Sequence, residues 1–381
     1  MARVGIVSVN TSLNLRRTPG GPVVASLPNG TRLSILKTAN GWHEVAAPGP
    51  GGGVLPGFVS ADFVVIDDAT PEVPAPGTPG GFRFVGKEAV APDGTAFARK
   101  FRLGVFNNGT TTMREFVAAN RALFPGVAPS LLSVMEAVSA NEGRLEAINT
   151  WDNAFLTFGA FQWTAGSGDG AGELPGLLHR LKRQDATAYE RCFGRFGLDA
   201  VEITQPAAPG SAEASDVPRG RFSLNGRVLR TAADKEVLRA LEWPYRFWRA
   251  GHDPAVRRAE IDHAIDRIAV FYRNPGKRVR DRFVADYVTS EYGVALLLDQ
   301  HVNRPGHVPA TLRKAADAIA QELGTDDPTN WGFAEEKRLL DLYLQVRAQT
   351  SMTDQAQRAQ RTKVAVSSGL ASDQRGSFVL G

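Results

Sequence analysis

Between residues 67 and 81 the chain reads DDATPEVPAPGTPGG. Prolines stiffen such a stretch toward an extended conformation, and the glycines loosen its end. A single core does not run through it, so the 381 residues divide into a short unit before it and a much longer region after it, as the length itself leads one to expect. With 43% hydrophobic and 22% charged residues, the chain has an ordinary globular composition and enough residues to bury a core without staples. The single cysteine, Cys192, excludes an intramolecular disulfide framework and a cysteine-rich zinc site. The six histidines lack metal-ligand spacing, so neither a metal nor a cofactor is expected. No apolar run approaches bilayer length, and MARVGIVSVN lacks the charged and apolar regions of a signal peptide. The net charge of +4 suits either an anionic envelope polymer or a plain solvated surface, and no nucleic-acid partner is expected.

Before the linker, residues 13–16, 23–27, 31–36, 42–45 and 57–59 are β-type runs separated by turn signals such as Pro28-Asn29-Gly30 and Asn40-Gly41. Short strands at this spacing predict a small barrel. The set Leu13-Asn14-Leu15-Arg16, Leu27-Pro28-Asn29-Gly30-Thr31, Asn40-Gly41-Trp42 and Gly57-Phe58-Val59 resembles bacterial SH3-like domains. That resemblance covers the whole unit, with a glycine- and proline-rich insertion at residues 48–56 as its departure, and it implies a module that binds cell-wall peptide or glycan.

After the linker, residues 82–106 read as mixed and β-rich with a turn at Asp93-Gly94, and residues 111–121 open an α-rich region. Pro129 is placed to start a helix. On that helix Leu131, Met135 and Val138 form one apolar stripe, which Glu142 extends to a stop at Gly143. Glu136 is rotated away from the stripe and is expected in solvent. A carboxyl at the end of a buried face emerges at a cleft edge, where partial desolvation keeps it protonated, as a general acid must be. Glu142, rather than Glu136 or Glu146, is therefore the expected acid. Further on, helices are expected over residues 174–181, 186–196, 234–249, 254–272, 279–302, 309–323 and 335–348. A hairpin is expected around Asn225-Gly226 and an exposed loop over residues 205–220. From Thr350 the chain is Gln-, Ser- and Arg-rich and reads as a mobile tail or interaction arm.

Thr157-Phe158-Gly159-Ala160-Phe161-Gln162 resembles the Ser-x-Gly-x-x-Gln segment that follows the catalytic Glu of goose-type lysozymes and lytic transglycosylases, where a serine rather than Gly143 usually follows that Glu. Glu142-Gly143, Asp152 and the run from Phe161 to Asp169 resemble the chitosanase pattern instead, without the Arg-Gly-Tyr-Thr that usually trails the Asp. Both belong to the lysozyme-like superfamily, and the resemblance implies glycosidic bond cleavage. Glu142 would protonate the leaving oxygen, and a second carboxylate would activate water or stabilise the oxocarbenium-like charge. Asp152 is the first candidate for that carboxylate and Asp169 the second, unless Asp169 bonds backbone in its glycine-rich turn. Gln162 and Thr164, with Thr157, either hold substrate N-acetyl and hydroxyl groups or make structural hydrogen bonds. Trp151, Phe161 and Trp163 are candidates to stack on sugar faces, and Trp243, Tyr245 and Trp248 to do so from a far wall or to pack in the core. The polar run from Asp299 to Pro305 either closes the cleft or caps its helix.

The expectation is a multidomain chain: a small all-β SH3-like barrel (1–66), a Pro/Gly linker (67–81), a mainly α, α+β lysozyme-like catalytic domain (82–349) and a flexible tail (350–381). The expected activity is hydrolysis of the β-1,4 glycan of peptidoglycan, with a chitosanase, a lytic transglycosylase or a non-catalytic wall-binding or tail protein as alternatives. The expected partners are murein glycan strands, wall peptide at the SH3-like unit, and a phage tail or injection-system spike. Lacking a signal peptide, the protein is expected to be made in the cytoplasm and to reach the wall by lysis or injection.

Overall fold

The computed structural model describes residues 3–9, 12–48, 54–66, 81–141, 143–204, 217–350, 352 and 354–380. The chain is mixed α/β with open sheets and divides into two compact units, Met1–Thr78 and Pro79–Gly381.

The first unit contains β1 (Arg3–Val7), β2 (Ser12–Arg16), β3 (Val23–Pro28), β4 (Arg32–Ala39), β5 (Trp42–Pro48), β6 (Val54–Ser60) and β7 (Val64–Ile66). Hydrogen bonding runs β3-β2-β6-β5-β4-β1-β7, an open ladder that ends on β3 and β7. Alternate residues of β2 and β5 point inward, as the period of a strand with one buried face requires. Leu13, Leu15, Val45, Ala47 and Val59 meet Val7, Leu27, Leu33, Ile35 and Val64 in one apolar core. The β4–β5 turn is Asn40-Gly41, both left-handed (φ 50° and 76°), as a two-residue hairpin demands. Pro48 pairs with Val54 and Pro56 with Ala46, so the ends of the insertion lengthen the β5–β6 hairpin. Residues 49–53, and the linker as far as residue 80, lie outside the described residues.

In the second unit β8 (Arg83–Val85), β9 (Glu88–Val90), β10 (Ala96–Phe101) and β11 (Gly104–Asn107) form an antiparallel meander that β12 (Ile148–Asn149), β13 (Thr157–Phe158) and β14 (Trp163–Thr164) continue into one sheet. Between β11 and β12 lie α1 (Met113–Ala119), opened by a capping box between Thr112 and Glu115, and α2 (Pro129–Ser139), with proline in its first turn. After β14 come α3 (Leu174–Gln184), α4 (Ala186–Cys192) and a three-stranded sheet of β15 (Leu198–Thr204), β16 (Arg219–Leu224) and β17 (Arg227–Val228). The β16–β17 turn is Asn225-Gly226, again left-handed at both positions. Residues 205–216 of the expected loop lie outside the described residues. The remainder is helical: α5 (Ala232–Lys235), α6 (Glu242–Ala250), α7 (Pro254–Tyr272), α8 (Val284–Tyr287), α9 (Glu291–Asn303), α10 (Val308–Leu323), α11 (Phe333–Arg347) and α12 (Gln355–Ser367). Among the described residues no helix is long and apolar enough to cross a membrane.

Three expectations are corrected. Helix α2 is buried on nearly every side rather than along one stripe, as an internal helix is. Glu136 is therefore not in solvent: it is 3% exposed, and Arg121 reaches it at 2.9 Å. The helix expected over residues 279–302 is two, α8 and α9. The backbone opens at Thr289 and Ser290 because both amides donate to Glu336, and the Ser290 hydroxyl then caps α9 through the Gly293 amide. The residues after Thr350 are not a mobile tail. Helix α12 packs on α2 and α9, and the Val379 amide donates to the Ser130 hydroxyl, which donates back to the Val379 carbonyl. Polar composition hid this helix because what docks it is hydrogen bonding rather than an apolar stripe.

Candidate active site

Glu142 itself lies outside the described residues; its two neighbours do not. Helix α2 ends at Ser139 with Ala140 as its cap, so Gly143 is not the helix stop. A Cβ at Gly143 would lie 2.8 Å from the Gln162 side-chain nitrogen and 3.3 Å from the Ala160 carbonyl oxygen, so Gly143 lies against the turn at residues 159–162, with the flexible end of the Gln162 side chain nearest to it. The Gly143 amide donates to the Ala160 carbonyl at 2.7 Å. Gly143 and this turn are thus held together.

The turn joins β13 to β14, where Thr157 pairs with Thr164 and Phe158 with Trp163. It needs two left-handed residues, Gly159 (φ 79°) and Gln162 (φ 54°), and that conformation costs a non-glycine residue roughly 1–2 kcal/mol. The Gln162 side chain offsets part of this by donating Nε2 to the Gly159 carbonyl at 2.9 Å. Beneath the turn, Glu260 of α7 accepts the Ala160 amide at 3.0 Å. Glu260 is fully buried, and burial drives its carboxyl well above the ordinary range, with the Ala160 hydrogen bond opposing only in part.

Glu146 contrasts with it. Its Oε1 accepts from the Thr110 amide (2.7 Å), the Thr110 hydroxyl (2.5 Å) and the Thr111 amide (2.9 Å), and Arg257 stands 3.5 Å away. Burial pushes this carboxyl up, but the Thr110 and Thr111 hydrogen bonds outweigh it and leave its pKa lowered. Neither Glu146 nor Glu260 is exposed to a substrate.

Asp152 is half-buried in the β12–β13 connection. Its Oδ2 accepts from the Asn149 amide group at 2.9 Å and its Oδ1 from the Ala154 amide at 3.0 Å. Arg239 fixes the same connection from behind, donating to the Thr150 and Asp152 carbonyls and lying over the Phe155 ring. Asp169 is exposed and tied elsewhere: its Oδ1 accepts the Ala232 amide at 2.7 Å, at the start of α5. The glycine-rich turn around Asp169 is built on Lys235, whose buried ammonium donates to the carbonyls of Gly166 (3.0 Å), Gly168 (2.9 Å) and Gly170 (2.5 Å). Burial draws this lysine's pKa down to about 8.

Of the stacking candidates, Trp151 is half-buried, with its ring edge on Phe101 and the Arg102 guanidinium 4.6 Å from its centre. Trp163 and Phe161 are core residues, and Trp163 packs edge-on against His263, so neither offers a face to a sugar. Thr157 is also buried. Thr164 is half-buried, its hydroxyl accepting the Gly166 amide at 3.3 Å. Trp243 is buried, while Tyr245 and Trp248 stack on each other and pack against Phe97. The run from Asp299 to Pro305 closes no cleft with Asp299, Gln300 or His301, all fully buried.

Local sequence reading missed Glu260, Glu146, Arg239 and Lys235, whose partners are distant along the chain. For α7 a signal was present: Val256, Glu260, His263, Arg267 and Phe271 keep helical spacing, and all are buried. Polar residues threaded on an apolar stripe mark a buried network. His263 meets Glu173 at 3.1 Å, and Arg267 pairs with the same carboxylate. Among the described residues no group of three or more His, Cys, Asp or Glu side chains is arranged to hold a metal. No family model, curated protein or solved structure matches the chain.

Proposed function

We propose that the protein is a peptidoglycan-degrading glycoside hydrolase with Glu142 as its general acid. The observation that carries this reading is the hydrogen bond from Gly143 to Ala160, with Gln162 packed against Gly143. It joins the Glu-bearing segment to the turn that resembles the Gly-x-x-Gln part of the lysozyme-like pattern. Glu142 donates its proton to the glycosidic oxygen as the bond to the anomeric carbon breaks. Asp152, half-buried and held by Asn149 and Ala154, is then the carboxylate that stabilises the oxocarbenium-like centre or takes a proton from the attacking water. Asp169 is the weaker choice, because its carboxylate serves the α5 terminus. Trp151, half-buried and next to Asp152 in the chain, is the stacking residue, and Gln162 and Thr164 line the wall. The first unit is read as an SH3-like module that holds wall peptide or glycan. Its substrate context is a cell wall reached after lysis or through an injection device.

A second reading, lytic transglycosylase, is favoured by the same residues. Both Asp152 oxygens already accept hydrogen bonds, and a route in which the sugar's own 6-hydroxyl closes on the anomeric carbon needs only one carboxyl. The decisive experiment is clearing of turbid peptidoglycan by the purified protein, with product ends identified by mass spectrometry. Reducing ends are expected for hydrolysis, and 1,6-anhydro ends would establish the second reading. Glu142→Gln is expected to lower the rate at least 100-fold while circular dichroism stays unchanged. Wild-type clearing by this variant would remove Glu142 from the role, and cleavage of chitosan alone would move the substrate class.

A further inference from the structure

Helix α12 buries only Thr362 and Ala365 of its thirteen residues, so it adds little apolar area to the core. Its polar groups converge instead on one residue, Asn141, immediately before Glu142. The Arg358 guanidinium donates Nη1 to the Asn141 carbonyl at 3.0 Å. In return the Asn141 amide group donates to the Arg358 carbonyl and to the Thr362 hydroxyl, both at 3.0 Å. Arg361 reaches the Asn141 side-chain oxygen at 3.3 Å. Asn141 is thereby held through both its backbone and its side chain.

Arg358 is fixed in turn from below. Its Nε and Nη2 both donate to Oδ1 of Asp299, at 2.9 and 2.6 Å. Asp299 is fully buried on α9, and its other oxygen receives Arg347 at 3.1 Å. Arg347 also donates to the Gln355 carbonyl at the start of α12. One buried carboxylate thus orients two arginines, one anchoring the start of α12 and the other aimed at Asn141. On the far side of Glu142, Gly143 is held by Ala160, and Ala160 by Glu260.

We propose that Arg358, oriented by Asp299, is a positioning residue for Glu142: the C-terminal helix supplies one jaw of a backbone clamp whose other jaw is Ala160 on Glu260. This rests on the reading of Glu142 as the acid. The physical argument is that a proton donor works only when its oxygen lies within hydrogen-bond reach of the leaving oxygen, and about 1 Å of misplacement costs on the order of 100-fold in rate. A carboxyl that follows a helix end inherits the positional freedom of that end. Four hydrogen bonds to Asn141 on one side and one short bond to Gly143 on the other hold both of its chain neighbours.

The test measures kcat and KM on soluble murein glycan oligomers for Arg358→Lys, Arg358→Ala and the paired Arg361→Ala, Thr362→Val, each alongside Glu142→Gln. Lysine keeps a charge beside Asp299 but cannot span both Asp299 and the Asn141 carbonyl. The expected result is a kcat lowered about 10-fold in Arg358→Lys and about 100-fold in Arg358→Ala, with KM within about twofold of wild type. The paired variant leaves the Arg358–Asp299 ion pair intact. It is expected to fold as wild type by circular dichroism and to lose about threefold in kcat, a smaller misplacement on the same scale; it keeps the proposal testable should Arg358→Ala fail to fold. Wild-type kcat in folded Arg358→Lys and in the paired variant, or a change confined to KM, overturns the proposal, and if Glu142→Gln is inactive in the same assay the assignment of the acid still stands. If Glu142→Gln cleaves as wild type, the acid assignment falls and the clamp falls with it.

Discussion

In the first unit the apolar interior is Val7, Leu13, Leu15, Leu27, Leu33, Ile35, Val45, Ala47, Val59 and Val64, with His43 the one buried ionisable side chain among its described residues, and strand alternation selects most of what enters it. In the second unit, helices that would elsewhere carry an apolar stripe bury Glu136, Lys235, Glu260, His263, Arg267, Asp299 and Arg347, and the connections between elements bury Glu146 and Glu173. The comparison separates two ways of specifying a structure. Apolar alternation fixes which face points inward but tolerates substitution by residues of similar volume. A buried charge fixes one partner and one geometry, because losing either partner leaves a desolvated ion. The candidate site lies in the second kind of region, where each backbone segment near Glu142 is tied to a polar side chain from a distant part of the chain.

The sharpest way to break the contrast is at Glu173. Glu173→Gln leaves Arg267 buried without its carboxylate, and a loss of about 3–5 kcal/mol is expected, read as reduced amide protection in the second unit by hydrogen exchange while the first unit is unchanged. The wild-type protein should show the same dependence on acid. Burial pushes the Glu173 carboxyl up, but Arg267 and the His263 hydrogen bond outweigh it and bring its pKa to about 2, below the ordinary 4.5. A depressed folded-state pKa stabilises fully above the unfolded value and less as pH falls toward the folded one. Protection in the second unit is therefore expected to drop between about pH 4.5 and pH 2, and acid-independent protection would contradict the pairing. Next in size, Leu15→Ala in the first unit is expected to cost about 2–5 kcal/mol, confined to that unit and without the acid dependence.

The smallest effect sharpens the comparison from inside the second unit. Burial raises the Glu260 pKa, and Glu260→Gln keeps a carbonyl oxygen for the Ala160 amide, so stability is expected to change by no more than about 1 kcal/mol. Glu146→Gln, which trades charge-assisted hydrogen bonds for neutral ones, is expected to cost about 1.5–3 kcal/mol. Equal losses in the two variants, measured by urea denaturation, would show that Glu260 is ionised.

What the sequence disclosed follows the same division. Strands β2 to β6 of the first unit, the Asn40-Gly41 and Asn225-Gly226 turns and the proline starts of α2 and α7 are local signals, readable where they stand, whereas β1 and β7 were not expected. The pairing of Gly143 with residues 159–162 was visible in the sequence only through a family resemblance, while the hydrogen bond from Gly143 to Ala160 belongs to three dimensions. Glu136 was misread because Arg121, the partner that allows its burial, lies on another element. Helix α12 was misread because Arg358, Arg361 and Thr362 look like solvent-facing residues until Asn141 and Asp299 are set beside them.

Lys235 bears on the conditions under which the glycine-rich turn keeps its shape. Loops that present several carbonyl oxygens to one point often recruit an alkali or alkaline-earth ion from the medium, and their conformation then follows the composition of that medium. Here the cation is covalently tethered, so the turn carries its own counter-ion. Chelators or sodium-to-potassium exchange leave its occupancy untouched. Its dependence on the medium is one of pH: with a pKa drawn down to about 8 by burial, Lys235 loses its charge as the medium turns alkaline.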